Sequence, residues 1–245
     1  GILAWRYATL TITGNTYTGK GAGADYVDYG IALKDGVTAA IDHNTISNCL
    51  GTGSLSAGIV VTTPSGVPTH ATITHNTITA NSIGIGVSHI ANDPSVVTAQ
   101  YNDLSGNDYG VTASTAELLV ATYNWWGVTT PLAISDLISG DVTYAPWLLT
   151  PDGIASDAIP VTATAINGTA AASPSTVAYD GSSTITFAPT AGYHLAGLTV
   201  NGSPVSPLPT DNTYVISNIV DATTVVVTFE PSVLSLTYIA GANGT

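Results

Sequence analysis

Six residues of this chain are written three times. HNTISN at 43–48 returns as HNTITA at 75–80, and a looser YNDLSG stands at 101–106. Aligned on the asparagine, the series is Asn15, Asn44, Asn76, Asn102 and Asn124, separated by 29, 32, 26 and 22 residues. A recurring period in the twenties, with insertions, is the pattern of a solenoid, whose single coils bury their apolar face only by stacking on neighbours.

The columns around the asparagine give the coil. Three residues before it stand Ile12, Ile41, Ile73, Ala99 and Ala121, and five before stand Leu10, Ala39, Ala71, Val97 and Leu119. Apolar residues at period two predict a short strand with one face inward. Two residues after it come Tyr17, Ile46, Ile78, Leu104 and Trp126, again apolar, so the inward parity shifts by one and the chain must bend just before the asparagine. A glycine then opens a further apolar strand, at Gly30, Gly58, Gly84 and Gly110, spaced 28, 26 and 26 apart. Three strands per coil and no helical period predict an all-β chain whose residues 1–150 form a right-handed parallel β-helix.

The Asn-x-Ile/Leu coils followed by a Gly-apolar strand resemble the parallel β-helix repeats of the pectate-lyase-like superfamily. YNWWG at 123–127, followed by VTYAPWL at 142–148, is similar to the end of the helix in many secreted bacterial and archaeal relatives. That similarity implies an end cap at about 123–149. Since Gly1 falls inside a repeat and no signal peptide is present, the chain is expected to be an internal piece of a longer exported protein.

Past the cap the pattern changes. Residues 151–160 read as a Pro, Gly and Ala-rich linker. From Val161 to Pro231, alternating strands are separated by Asn-Gly and Asp-Gly pairs at 167–168, 180–181 and 201–202, which predicts a small antiparallel β module. GSSTITFAPTAGYHLAGLTVNG at 181–202 and TTVVVTFE at 223–230 resemble the divergent internalin-type B-repeat of bacterial surface proteins. Residues 232–245 are similar to the start of another copy, whose orphan strand at 234–240 is expected to seek a partner, including another chain.

Composition narrows the functions. Three Lys+Arg stand against 16 Asp+Glu, a net charge of −13, so a counterion-releasing track for nucleic acid is excluded. The apolar runs are far short of a membrane span, so no membrane insertion is expected. Few charges on a surface of Thr, Ser and Asn, with tandem β modules, point to a secreted or cell-surface location. The family resemblance implies acidic polysaccharides as one substrate class. Lyase relatives need an Arg or Lys base, and hydrolase relatives need clustered carboxylates in motifs resembling NTD, DD, GHG and RIK. None of those motifs occurs, and Arg6, Lys20 and Lys34 are scattered over the first coils, so no catalytic residue is assigned.

Several residues are candidates for binding. His43 and His75 precede equivalent asparagines on successive coils, and at interstrand spacing two imidazoles could share a metal. The column continues as Tyr101 and Tyr123, which suits a stacked corner better than a ligand set. Asp25 and Asp28 in the loop GAGADYVD could hold calcium through oxygen ligands. Trp125, Trp126 and Trp147 could stack on sugars, though a hydrophobic plug over the last coil explains them more simply. The asparagines themselves read as a structural ladder, each amide bonding its equivalents on neighbouring coils. The function expected is non-catalytic: a structural or adhesive part of an extracellular filament or surface layer. The alternative is a carbohydrate-active or carbohydrate-binding β-helix.

Overall fold

The computed structural model describes residues 1–23, 27–51, 56–88, 90 and 92–233. Asp25 and the strand expected at 234–240 lie outside the described residues. The chain divides into two compact units, Gly1–Ser156 and the remainder from Asp157.

The first unit is a parallel β-helix. One sheet stacks Ile2–Trp5, Tyr29–Lys34, Ala57–Thr62, Ile83–Val87, Tyr109–Ala113 and Ile138–Ser139. A second stacks Thr9–Thr13, Thr38–Asp42, His70–Thr74, Val96–Gln100, Leu119–Val120 and Val142–Thr143. A third, shorter sheet stacks Thr16–Thr18, Thr45–Ser47 and Thr77–Thr79, and single bridges carry it on through Asp103 and Trp125. Pairing is parallel and in register: Ile12, Ile41, Ile73 and Ala99 follow one another up one column, with Ile12 and Ile41 paired directly. These residues are 0–3% exposed, as are Ile46, Ile78, Leu104 and Trp126 in the column after the bend.

The bend has a specific backbone. Gly14, His43, His75, Tyr101 and Tyr123 all have φ between 52° and 68°. This left-handed step turns the strand and moves the inward set by one residue, the parity shift seen in the sequence. Left-handed backbone is unfavourable for a residue with a Cβ, yet four of the five corners carry a ring.

The far end of the solenoid is closed by Trp126, Ile134, Trp147, Leu148 and Leu149, all under 8% exposed. The sequence pattern did not foretell the one-turn helix Pro131–Ser135, which delivers Ile134 to this plug; Thr130 caps it and proline opens it. The stretch expected as the start of a linker has structure of its own. Leu148 donates its N–H to Asn124 O at 3.0 Å, continuing the coil stack, and Leu148 and Ala155 pair as an antiparallel bridge. Ser156 ties the return, its hydroxyl accepting from Trp147 N at 3.0 Å, and Ile159 already begins the next strand.

The second unit packs two sheets. Gly168–Ser173, Gly181–Pro189 and Thr213–Ile219 form an antiparallel three-stranded sheet. The other orders Thr176–Val177, Ile159–Ile166, Thr223–Pro231, Tyr193–Val200 and Ser203–Pro204; its ladders are antiparallel except where Val161–Ile166 runs parallel to Thr223–Thr228. Ile185, Phe187, Leu198, Val225, Val227 and Phe229 fill the core. Asn201 and Gly202 both have positive φ, as a tight hairpin turn demands. No described helix is long and apolar enough to cross a membrane.

Candidate functional site

The repeated motif divides between core and surface. Each ladder asparagine sits just after the left-handed step and turns inward. Asn44 Oδ1 accepts from Asn15 N and Nδ2, both at 3.0 Å, and Asn76 Oδ1 accepts from Asn44 N at 2.8 Å and Nδ2 at 2.9 Å. The pattern continues from Asn76 to Asn102 and from Asn102 to Asn124. Each internal Nδ2 also reaches the carbonyl two residues back and one on the preceding coil; for Asn76 these are Thr74 O and Ile41 O. At Asn44, Asn76 and Asn102, which are 0–1% exposed, the side-chain amide is thus satisfied at both ends in a place without water.

A second ladder escaped the sequence reading. Asn81 Oδ1 accepts from Cys49 N at 3.0 Å, and Asn107 Oδ1 accepts from Asn81 N and Nδ2 at 2.9 and 3.0 Å. Cys49, Asn81 and Asn107 each follow a first-ladder asparagine by five residues, a spacing that would have revealed them. Cys49 is fully buried, and burial pushes its thiol up to about 12.

Buried acids are likewise held by the fold. The Asp28 carboxylate, 3% exposed, accepts from Tyr17 Oη at 2.9 Å and Lys20 N at 2.7 Å. Burial, then this bond, pushes the Tyr17 phenol up to about 12. Asp28 therefore faces the core side of its loop and stands apart from the histidines. Asp35 accepts from Trp5 Nε1 and Ser65, and Asp93 from Thr63 N and Ser95 N.

The surface half of the motif is the corner column. His43 and His75 stack with ring centroids 5.2 Å apart, His75 and Tyr101 at 5.6 Å, and Tyr101 and Tyr123 at 5.3 Å, with interplanar angles of 7–20°. Stacking at these spacings contributes about 0.5–1.5 kcal/mol per aromatic pair, which offsets part of the left-handed backbone cost. Since each ring covers the face of the next, the column offers ring edges to solvent.

The turn at 150–153 rises beside this column and makes a groove. One stretch, about 350 Å³, is lined by His75, Tyr101, Tyr123, Leu148, Pro151 and Asp152 among others. The adjoining stretch, about 260 Å³, adds His43, Thr77 and Asp103. Two carboxylates, Asp103 and Asp152, thus share one groove, and neither stretch contains Lys or Arg. Asp103 Oδ1 is engaged by Ser105 N at 2.9 Å. Arg6 lies elsewhere, its guanidinium 4.5 Å from the Trp5 ring centre.

Beside the two histidines is a residue the sequence reading did not single out. Asp42 Oδ2 lies 2.5 Å from His43 Nδ1, and Oδ1 lies 3.2 Å from His75 Nδ1. Thr74 Oγ1 donates to Asp42 Oδ1 at 2.7 Å. That bond foremost, with those to the histidines, holds the Asp42 carboxyl down at about 2. Of the tryptophans considered for sugar stacking, Trp126 and Trp147 are 1% and 6% exposed and pack with Tyr144, so they present no face to a sugar. Trp125 is half-buried.

Residues 1–121 match the family model described as the right handed beta helix region, in agreement with the parallel coils of the first unit. No curated protein and no solved structure matches the chain.

Proposed function

We propose that this chain is a non-catalytic structural or adhesive part of an extracellular or cell-surface protein, and that the corner groove is its contact surface for glycan. The observation that carries the proposal is the division of labour in the repeat. The asparagines are consumed by the ladder, and the corner residue of four of the five repeats, His43, His75, Tyr101 and Tyr123, lines an open groove with ring edges and hydrogen-bonding groups. The resemblance to pectate-lyase-like coils supports a glycan partner, and the resemblance of residues 161–231 to internalin-type B-repeats supports a surface location. A groove bearing Asp103 and Asp152, on a chain of net charge −13, repels polyuronates and favours neutral sugars.

A second reading rests on those same two carboxylates, since a carboxylate pair is what glycoside hydrolysis requires. The test is incubation of the full chain with neutral glucans and mannans, and with pectin and alginate plus calcium. Retention in neutral-glycan affinity gels, reduced by Tyr101→Ala, with no new reducing ends or unsaturated products, is the expected result. Products that vanish with Asp103→Asn would establish the hydrolase instead, and no retention by any glycan would remove the groove from the proposal.

A further inference from the structure

We infer that Asp42, His43 and His75 form a binding site for one divalent transition-metal ion of the zinc class. The three side chains come from two neighbouring coils, and one donor atom from each lies within 4.8 Å of the others. Bonds of about 2.0–2.2 Å from a metal to imidazole nitrogen or carboxylate oxygen bring ligand atoms about 3–3.5 Å apart. The observed Nδ1 to carboxylate distance at His75, 3.2 Å, lies in that range, and the 2.5 Å contact at His43 opens into it when an ion replaces the hydrogen between the two atoms. The side chains are 35–67% exposed, so they adjust without disturbing the core, and the ion enters from solvent.

Three features make the cluster more than a chance meeting. First, His43 and His75 share the same backbone, φ 55° and 52°, so their rings project in parallel from successive coils with both Nδ1 atoms toward one carboxylate. Second, that carboxylate is oriented from behind by Thr74, the kind of supporting bond that fixes a ligating group. Third, the column limits the site to one copy, because Gly14 precedes the pair and Tyr101 follows it. Two nitrogens and one oxygen are a poor set for calcium or magnesium, which take oxygen donors, and suit zinc, copper or nickel. On binding, each Nδ1 offers its lone pair to the metal; in a neutral ring the hydrogen that faced Asp42 leaves Nδ1 while Nε2 takes one from water, and an imidazolium, which already has its Nε2 hydrogen, releases the Nδ1 proton to solvent. With three protein ligands, water completes the shell of the ion. The site does not depend on what the groove binds.

The experiment is calorimetric titration of the full chain with Zn²⁺ alone at neutral pH. One saturable site per chain is expected, weakening on acidification because ligating imidazoles must be unprotonated. Glycine suits the left-handed backbone at both corners, as Gly14 shows, so the double variant His43→Gly/His75→Gly is expected to keep the far-ultraviolet circular dichroism of the parent and lose saturable binding. Asp42→Asn should weaken binding at least tenfold, and Thr74→Val, which removes only the positioning bond, about 10- to 100-fold. Absence of saturable binding to the parent, or undiminished binding to the folded double-glycine variant, would overturn the inference.

Discussion

Asn76 touches three coils with one side chain: its Nδ2 reaches Ile41 O below and Asn102 Oδ1 above, and its Oδ1 receives Asn44. At 1% exposure, removing it strands several backbone and amide partners away from water. Asn76→Ala should therefore cost on the order of 1–3 kcal/mol, read as a lower urea midpoint. Asn15, which is exposed, should cost less on the same substitution. Asp42 carries a pH prediction. Its carboxyl is held at about 2, below the ordinary 3.8, chiefly by the Thr74 hydroxyl. A depressed carboxyl stabilises the fold above its unfolded pKa, and that contribution is lost as pH falls through about 2. The stability gap between the parent and Asp42→Asn should thus be present at pH 5 and closed near pH 2, measured by urea midpoints; a gap independent of pH would refute it. The effect is small, because the pair is solvent-screened.

At the scale of the element, the coils stack closely because glycine opens the first-sheet strands. A Cβ on Gly58 would lie 2.5 Å from Ile78 Cγ2 and 2.9 Å from Gly84 O, one of them backbone in the next coil. Gly86 lies nearby in the same sheet, and there the nearest atom would be Ala57 Cβ at an ordinary 3.5 Å. Gly58→Ala should destabilise by about 1–3 kcal/mol as overpacking does, while Gly86→Ala should be near neutral; equal midpoints for the two would show that the coils can slide apart to admit the methyl. The column Gly30, Gly58, Gly84 and Gly110 was legible in the sequence as a repeat. Its cause was not, because the atoms that forbid a Cβ belong to residues 16 or more positions away. The second ladder was missed for a related reason: Cys49 stands where an asparagine would have marked the column, and only its backbone N–H takes part.

At the scale of the molecule, the first unit ends at Ser156 and not at the last strand of the solenoid. A fragment 1–156 should fold with the β-sheet spectrum of the helix, whereas a fragment ending at Trp147 loses Leu148, Leu149 and the Ser156 tie, and should unfold at a lower temperature or aggregate through the opened end. Comparable melting of the two would show that the turn beyond Thr150 only decorates the plug. By itself the sequence determined the solenoid, its three-strand coil, the bend before each asparagine and the identity of the ladder, since these are local patterns that repeat with the stack. Tertiary structure alone decided what faces the bend. Asp42 points its carboxylate at two histidines, one adjacent in the chain and one a full coil away, and the 150–153 turn shares a groove with rings from four other coils. Neither belongs to the repeat: the groove comes from a single irregular excursion, and periodicity reports only what recurs.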